Sequence, residues 1–381
     1  MHVGTTRNAL LLGNFVTGLA VLSPAGMLTD LAAGLNVSLQ QAGLLATFGA
    51  AVLCFGSPLM AWATSRVERR TLLSATVAVM ALGHAASALA PDYWSLLLVR
   101  LIMLVVAAIY TPQAASTISM IVNEKERPSA IAYIFLGWSL ATAIGLPIVT
   151  YVTSHIGWRE TYGMLAVVCA VAFVLNLIGL PKGLRGVPVS MQSWGVIARN
   201  RLIILLLVIT GLATAGQFGL FIYLAPLMNR LTGAGTQTIS LTFAGMGAVS
   251  VVGNIFATRV VLRIGTYRTS LLLLISSLAG LLVWSVGVPM LPIMLAGLVL
   301  VSIGFAAANS MQQARLVAAG PDLAGASISL NTSSIYIGQT IGTGIIGALI
   351  AADLPVAVGY MSAAFMFVAL AVLLMTNPNR T

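Results

Sequence analysis

Residues 202–229 read LIILLLVITGLATAGQFGLFIYLAPLMN, a run of 28 residues without one charged side chain. A helix needs about 20 consecutive apolar residues to cross the hydrocarbon of a bilayer. In hydrocarbon a single segment satisfies all of its own backbone hydrogen bonds only as a helix. The stretch is therefore predicted to be a membrane-spanning helix.

The rest of the chain has the same character. Of its 381 residues 59% are hydrophobic and 7% are charged, whereas an ordinary soluble domain has about 25% charged residues. Nine further charge-free stretches are long enough to cross a bilayer, and one of them, 269–314, is broken by Pro289 and Pro292 into two crossings. Residues 93–121 add a crossing that carries the single charge Arg100. The sequence thus predicts an all-α membrane protein with twelve transmembrane helices.

The cations indicate which ends of these helices face the cytoplasm. With the amino terminus in the cytoplasm, fifteen of the 18 Lys and Arg residues lie in cytoplasmic loops or ends, and only Arg159 and Arg230 lie outside. Membrane proteins show this excess of cations on the cytoplasmic side. Both termini are predicted to be cytoplasmic. The net charge of +10 follows from the same bias, so no nucleic-acid partner is expected.

A long loop at residues 182–201 divides the chain near its midpoint, with six predicted helices on each side. Arg70-Thr71 before helix 3 recurs as Arg268-Thr269 before helix 9, and Gly145 of helix 5 corresponds to Gly342 of helix 11. This pattern predicts two pseudo-symmetric six-helix bundles, residues 1–181 and 202–381, joined by the cytoplasmic linker 182–201.

Residues that carry catalytic chemistry are sparse. His2, His84 and His155 show no metal-ligand spacing. Neither Lys125 nor Lys182 follows a glycine, as the lysine of a phosphate-binding loop does. The chain is therefore not predicted to be an enzyme or to hold a cofactor or metal. A channel is disfavoured as well, because the predicted helices offer no ring of charged side chains.

Three short motifs lie at or near helix ends. The loop after helix 2 reads SRVERR at 65–70 and includes Arg66, Arg69 and Arg70, and its second-half counterpart is Arg263-Ile264-Gly265 with Arg268. Helix 5 carries Gly137, Ala141 and Gly145 at a spacing of four, followed by Pro147. Gly157-Trp158-Arg159 precedes helix 6. With these motifs the chain resembles the major facilitator superfamily, and within it the drug:proton antiporter group that includes sugar and arabinose efflux-like members.

This resemblance implies roles for the motifs. The basic loops resemble gate elements of that family, although their cations are equally typical of plain positive-inside topology. The small residues of helix 5 stack on one face and let a neighbouring helix approach closely, while Pro147 weakens the helix locally. The two halves are therefore expected to rock about Gly137, Gly145 and their helix 11 counterparts Gly338, Gly342 and Gly347.

Arg100 lies well inside helix 4, where an uncompensated charge is costly. It matches the helix 4 arginine that the family uses in proton coupling or in binding substrate charge, and Asp30 is the nearest acid by topology. Alternatively, its side chain snorkels to the outer interface. Val21 occupies the place where several sugar-efflux relatives carry a protonatable Glu in helix 1, so no buried acid supports proton exchange here.

If the family plan holds, substrate is bound chiefly by helices 1, 4, 7 and 10. Polar side chains in these helices either bond to neighbouring helices or line a wet cavity. The candidate substrate-binding residues are Asn14, Thr17, Tyr110, Gln113, Gln217, Tyr223, Asn309 and Gln313. Such neutral groups suit a small neutral or amphipathic solute.

Together these features predict a secondary active transporter that works by alternating access. It is expected to export a drug-like or sugar-like solute from the cytoplasm, with protons as a candidate exchange partner. The alternative is a proton-independent facilitator or uptake carrier for a small metabolite. The expected setting is a monomer surrounded by membrane lipid in a bacterial inner membrane.

Overall fold

The computed structural model describes residues 3–64, 66–123, 127–185, 195, 197, 199–320 and 324–377. Within these ranges twelve helices are long and apolar enough to cross a membrane, which confirms the predicted number. They are α1 (Val3–Gly34), α2 (Leu39–Ser57), α3 (Arg69–Ala88), α4 (Tyr93–Ile121), α5 (Tyr133–His155), α6 (Trp158–Gly179), α7 (Arg201–Ile222), α8 (Thr236–Ala257), α9 (Arg259–Gly287), α10 (Leu291–Ala319), α11 (Ser327–Ala351) and α12 (Ala357–Met375).

An even number of crossings places the start of α1 and the end of α12 on the same side of the membrane. We call this the termini side and the opposite side the far side. Of the predicted linker, residues 186–194, 196 and 198 lie outside the described residues, as do Ser65, Lys125 and Arg380. The linker bounds therefore stay a prediction.

Large apolar side chains cover the outside of the helices. Phe55 and Val286 are each 75% exposed, and Leu82 is 70% exposed. Water would penalise such a surface, whereas lipid does not. The helices are apolar on nearly all sides because one side meets lipid and the other meets protein.

Two polar clusters occupy equivalent places in the two halves. In the first half, Asn14 of α1 donates to the Ile134 carbonyl at 3.1 Å and accepts from the Thr111 hydroxyl at 2.8 Å. In the second half, Asn331 of α11 donates to Asn309 at 2.9 Å and accepts from Thr210 at 2.7 Å. Thr210, Asn309 and Asn331 follow Asn14, Thr111 and Ile134 by 196, 198 and 197 residues. Each cluster joins the first, fourth and fifth helix of its bundle, as an internal duplication requires.

The small-residue face of α5 packs within its own half. Gly137 lies against the backbone of α1 at Leu11 and Phe15, and Gly145 lies against Leu19. In the second half Gly338 and Gly342 of α11 lie in the same way against Gly211 and Ala215 of α7. These four glycines thus join helices of one bundle, and the expectation that the halves rock about them and Gly347 stays a prediction. Their spacing of four does place them on one face, but that face meets the first helix of the same bundle.

The same motif distorts α5. Ala141–Gly145 forms one turn of π-helix directly before Pro147. Proline has no backbone N–H to donate to the preceding turn, and a local π-turn is one way in which a membrane helix adjusts to that loss. The local weakening predicted for α5 at Pro147 thus takes the form of one π-helical turn, which is wider than an α-helical turn.

The main contacts between the two halves are made by two helix pairs, α2 with α11 and α5 with α8. The Thr47 hydroxyl donates to Thr343 at 2.9 Å, and the Ser333 hydroxyl donates to the Cys54 carbonyl at 3.1 Å. In the other pair Gly247 of α8 lies directly against Ala143 of α5. The surface along which the halves could separate therefore runs along these four helices.

Candidate transport site

Arg100 is buried in the middle of the N-terminal half. Its side chain is 1% exposed. One terminal nitrogen donates to the Ala20 carbonyl of α1 at 2.9 Å, and the other donates to the Tyr162 hydroxyl of α6 at 3.2 Å. The guanidinium thus points into the bundle, so the snorkelling alternative was wrong. Its Nε is buried and has no hydrogen-bond partner in the described structure.

His84 of α3 completes the surroundings of this cation. Its ring stacks on Tyr162 with 5.8 Å between the centroids and 26° between the planes. Both ring nitrogens are buried and have no partner among the described atoms. His84 therefore packs as a flat ring and holds Tyr162 toward Arg100.

A narrow gap lies beside Arg100 where the two halves meet. It is too tight for a water molecule. Three N-terminal helices and α11 line it, with the side chains Val21, Leu45, Ala46, Gly49, Ala50, Leu53, Arg100, Leu104 and Gln339. All of these except Arg100 and Gln339 are apolar or glycine, so one cation and one amide carry the polarity of the gap.

Gln339 of α11 is the polar residue that sequence reasoning missed. It is 1% exposed, and its Oε1 is buried with no hydrogen-bond partner in the described structure. Both polar residues of the gap thus have a buried atom without a partner in the described structure, the acceptor Oε1 of Gln339 and the donor Nε of Arg100. The family plan assigns substrate contacts chiefly to helices 1, 4, 7 and 10, and Gln339 lies on helix 11. The available signal was a lone glutamine within an apolar helix.

The gap offers Arg100 no carboxylate. Val21, at the place of the acid in several relatives, is part of its wall. Asp30 is half-buried near the end of α1, and the structure does not join it to Arg100. Within the described ranges the only salt bridge pairs Arg230 with Asp353 at the surface. Among the described residues, Arg100 is therefore balanced by the Ala20 carbonyl and by the hydroxyl and ring of Tyr162.

The four candidate contacts of the first half bond inside that half. The Tyr110 hydroxyl donates to Asn176 of α6 at 2.7 Å, and the Thr17 hydroxyl donates to the Gly13 carbonyl at 2.7 Å. Gln113 accepts from Arg69, and Asn14 belongs to the cluster described above. Asn14, Tyr110 and Gln113 fasten helices to one another in this conformation, whereas the Thr17 bond to Gly13 lies within α1. Their part in substrate binding stays a prediction.

Two of the four candidate contacts of the second half also bond inside that half. The Gln217 amide donates to the Ser277 hydroxyl at 3.5 Å, and Asn309 is bonded to Asn331. Gln313 is half-buried on α10. Tyr223 differs, because it lies where α7 breaks, and its hydroxyl reaches Gly43 of α2 and Gly347 of α11.

Tyr223 thus joins both halves toward the far side. The residue is fully buried, and its hydroxyl has no hydrogen-bond partner among the described atoms. The glycines provide the space, since a Cβ at either position would collide with the ring or hydroxyl. Of the eight candidates, Tyr223 is the one that the structure places between α2 and α11.

The basic loop after α2 packs on the segment that follows α6. Glu68 accepts from the Gly183 N–H at 2.6 Å and from the Thr71 hydroxyl at 3.0 Å, and the Arg69 N–H donates to the Leu184 carbonyl at 2.8 Å. The hydrogen bond from Gly183 is the main cause of the lowered pKa of Glu68. Arg66 is exposed and Arg70 is half-buried.

The equivalent loop of the second half is built differently. Gly265 has φ 79° and ψ 168° and divides the helical run Thr236–Gly287 in two, a conformation that favours glycine. Arg263 and Arg268 are exposed. A buried cation near this loop is Arg315 of α10. Its Cζ lies 5.4 Å from the centre of the Tyr267 ring, and its guanidinium donates to the Thr376 hydroxyl at 2.6 Å.

Comparisons with known proteins agree with this architecture. The sequence model of the Major Facilitator Superfamily matches residues 10–343. The inner membrane transport protein YdhP of Escherichia coli is 28% identical over 361 residues, which are 93% of this chain and 91% of that protein. An uncharacterized MFS-type transporter, YtbD of Bacillus subtilis, is 31% identical over 247 residues, and the match spans 62% of its length. A probable sugar efflux transporter of Haemophilus influenzae is 28% identical over 215 residues, 56% of this chain and 54% of that protein.

Solved structures share the fold. The nucleoside transporter NupG superposes with a TM-score of 0.80 at 11% identity, covering 98% of this chain and 100% of that one. A D-xylose-proton symporter gives a TM-score of 0.80 at 14% identity, covering 99% and 98%. At these identities the likeness establishes the arrangement of the twelve helices.

Proposed function

The chain belongs to the major facilitator superfamily, and from that premise we propose that it exports a small neutral or amphipathic solute by alternating access. The proposal places the solute in the central gap, between Arg100 of one half and Gln339 of the other. The observation that carries it is this pair of buried groups. Each keeps an unused hydrogen-bonding atom at the surface where the halves meet.

Unsatisfied buried polar atoms are costly, typically about 1–3 kcal/mol each. Such atoms in a native structure call for an explanation, and a ligand that satisfies them in another state is one. A solute with one acceptor and one donor, such as the hydroxyl groups of a sugar, would meet both Arg100 and Gln339. The apolar walls of the gap would suit the less polar face of such a solute.

The packing supports movement of each half as one body. Glycines bring α5 onto α1 and α11 onto α7 with no room for side chains. The halves meet mainly along α2 with α11 and α5 with α8, so each tightly packed bundle would rock as one body along these contacts. Tyr223 would then close the path toward the far side.

Export as the direction draws support from the curated relatives, among which are proteins named as probable sugar efflux transporters. Drug-like and sugar-like solutes are thus the first classes to test. The proposed setting is a monomer in a bacterial inner membrane with both termini cytoplasmic, consistent with the cation bias and with the inner membrane protein of Escherichia coli.

A second candidate is a proton-independent facilitator or uptake carrier. It is favoured by the absence of a carboxylate among the residues that line the gap. Proteoliposomes separate the two functions. An exchanger loses solute accumulation when the pH gradient is collapsed, whereas a facilitator equilibrates its solute at an unchanged rate.

The proposal is tested with a solute found by thermal-shift screening of the purified protein against sugars, nucleosides, amino acids and lipophilic cations. Arg100→Ala is expected to abolish saturable transport of that solute while the protein still inserts in the membrane. Arg199→Ala, which removes an exposed cation from the termini side, is the matched control and should transport normally. Wild-type transport by Arg100→Ala would refute the central site.

A further inference from the structure

A larger cleft lies away from the central gap, on the termini side of the N-terminal half. Its volume of about 440 Å³ is within the range of about 300–1,000 Å³ that is typical of small-molecule sites. It is formed by the start of α3, the end of α6 and the segment that follows. The lining residues are Glu68, Arg70, Thr71, Ser74, Ala75, Phe173, Leu177 and Lys182. None of them belongs to the central site.

The cleft carries a positive charge. Arg70 and Lys182 contribute two cations, and Glu68 contributes one anion. The Glu68 carboxylate is already occupied, because it accepts from the Gly183 N–H and the Thr71 hydroxyl. Neither Arg70 nor Lys182 takes part in a salt bridge in the part of the chain that the structure describes. Two cations are thus available to an anionic ligand.

Ser74 adds a hydrogen-bond donor that no described protein group uses. The residue is 2% exposed, and its Oγ is buried without a partner. Buried hydroxyl groups in proteins are nearly always bonded. A hydroxyl without a partner in the wall of a basic cleft indicates that a ligand acceptor completes it.

The other wall of the cleft is apolar. Phe173 and Leu177 of α6 line it, and the neighbouring side chains Val174 and Ile178 are 48% and 67% exposed. Because α3 begins at Arg69 and α6 ends at Gly179, the cleft lies where hydrocarbon gives way to lipid headgroups. A ligand placed here has a polar end and an apolar end.

From these features we infer that the cleft binds an anionic phospholipid. The phosphodiester would lie between Arg70 and Lys182 and accept from the Ser74 hydroxyl, while an acyl chain follows Phe173 and Leu177. Basic side chains at the ends of membrane helices bind anionic lipid by the same electrostatic attraction. The bound lipid would fasten the start of α3 to the segment after α6, next to the Glu68 to Gly183 hydrogen bond.

Native mass spectrometry of the full chain in detergent tests this inference, with phosphatidylglycerol and phosphatidylcholine of the same acyl chains as probes. The wild type is expected to retain phosphatidylglycerol in preference to phosphatidylcholine. One basic group near a membrane surface changes the affinity about fivefold, so Arg70→Gln with Lys182→Gln should lower phosphatidylglycerol affinity about thirtyfold. Ser74→Ala should lower it about tenfold, the effect of one hydrogen bond to a charged group.

The matched control is Arg199→Gln with Arg201→Gln, which removes two exposed cations from the same side but none from the cleft. It should bind phosphatidylglycerol like the wild type. Lys182→Gln alone changes an exposed position outside α3. Its phosphatidylglycerol affinity is therefore a second measurement that does not depend on α3 packing. Equal retention of the two lipids, or unchanged binding by the double variant, would overturn the inference. Displacement of phosphatidylglycerol by millimolar inorganic phosphate would show a soluble-anion site and overturn the lipid assignment.

Discussion

Replacing Gln339 by leucine is expected to stabilise the protein and to impair transport at the same time. The Gln339 amide is buried, and its Oε1 has no partner among the described atoms. An unsatisfied buried carbonyl costs about 1–3 kcal/mol. Leucine fills a similar volume without a polar atom. We therefore expect Gln339→Leu to raise the free energy of unfolding by about 1–2 kcal/mol, near the lower end of that cost.

Gln312 of α10 offers a matched control with the opposite sign. Its Nε2 donates to the Leu206 carbonyl at 3.3 Å, and its Oε1 accepts from Arg315 at 3.2 Å. Gln312→Leu removes both bonds and takes one partner from the buried Arg315. It should lower the free energy of unfolding by about 1–3 kcal/mol.

Two measurements on the same preparations check the pair. Thermal unfolding in detergent, followed by tryptophan fluorescence at one scan rate, gives the order of stability as Gln339→Leu, wild type, Gln312→Leu. Transport in proteoliposomes should be at least about tenfold weaker for Gln339→Leu, the value of one lost hydrogen bond to the solute. A Gln339→Leu protein that is destabilised like Gln312→Leu and still transports normally would refute the assignment of Gln339 to the site.

Three further perturbations test other parts of the structure. Val21→Glu places a carboxylate in the gap beside Arg100, so transport should depend more steeply on a pH gradient than it does in the wild type. An unchanged dependence in proteoliposomes would contradict this geometry. Gly137→Ala sets a methyl group against the α1 backbone at Leu11 and Phe15 and should destabilise the protein by about 1–3 kcal/mol. Gly163→Ala is the control, because a methyl group there meets nothing within 4 Å, and it should leave the stability unchanged. Equal unfolding midpoints of the two variants would show that α5 packs loosely. Because its folded-state pKa lies below the ordinary 4.5, Glu68 contributes stability above pH 4.5 that is lost as the pH falls through the lowered value. Below pH 4.5 the stability of Glu68→Gln should therefore fall less steeply with pH than that of the wild type. Thermal unfolding midpoints that fall equally with pH in both proteins would exclude this role.

The number of helices and their division into two related halves were predictable because they depend on the solvent. Long charge-free stretches such as 202–229 have one stable form in hydrocarbon, and repeated offsets such as Arg70 with Arg268 survive in the sequence. The matching polar clusters around Asn14 and Asn331 confirm that relation in three dimensions.

The candidate site was predicted less well. Arg100 was identified because a charge inside a membrane helix is rare and costly, and Tyr223 was identified as a polar side chain of helix 7. Asn14, Tyr110 and Asn309 were selected by the same reasoning, but in this structure they bond to helices of their own half. Gln339 was missed because it lies on a helix that the family plan did not assign to the substrate.

The sequence by itself determined that hydrocarbon surrounds this chain, how many times it crosses, and that its halves are related. Only the tertiary structure decided which way each polar side chain faces and which helix meets the glycines of α5. The physical reason is that a helix that is apolar on every side has no amphipathic face to record its orientation. Its rotation is set by close packing and hydrogen bonds with neighbouring helices, such as those of Arg100 with Ala20 and Tyr162.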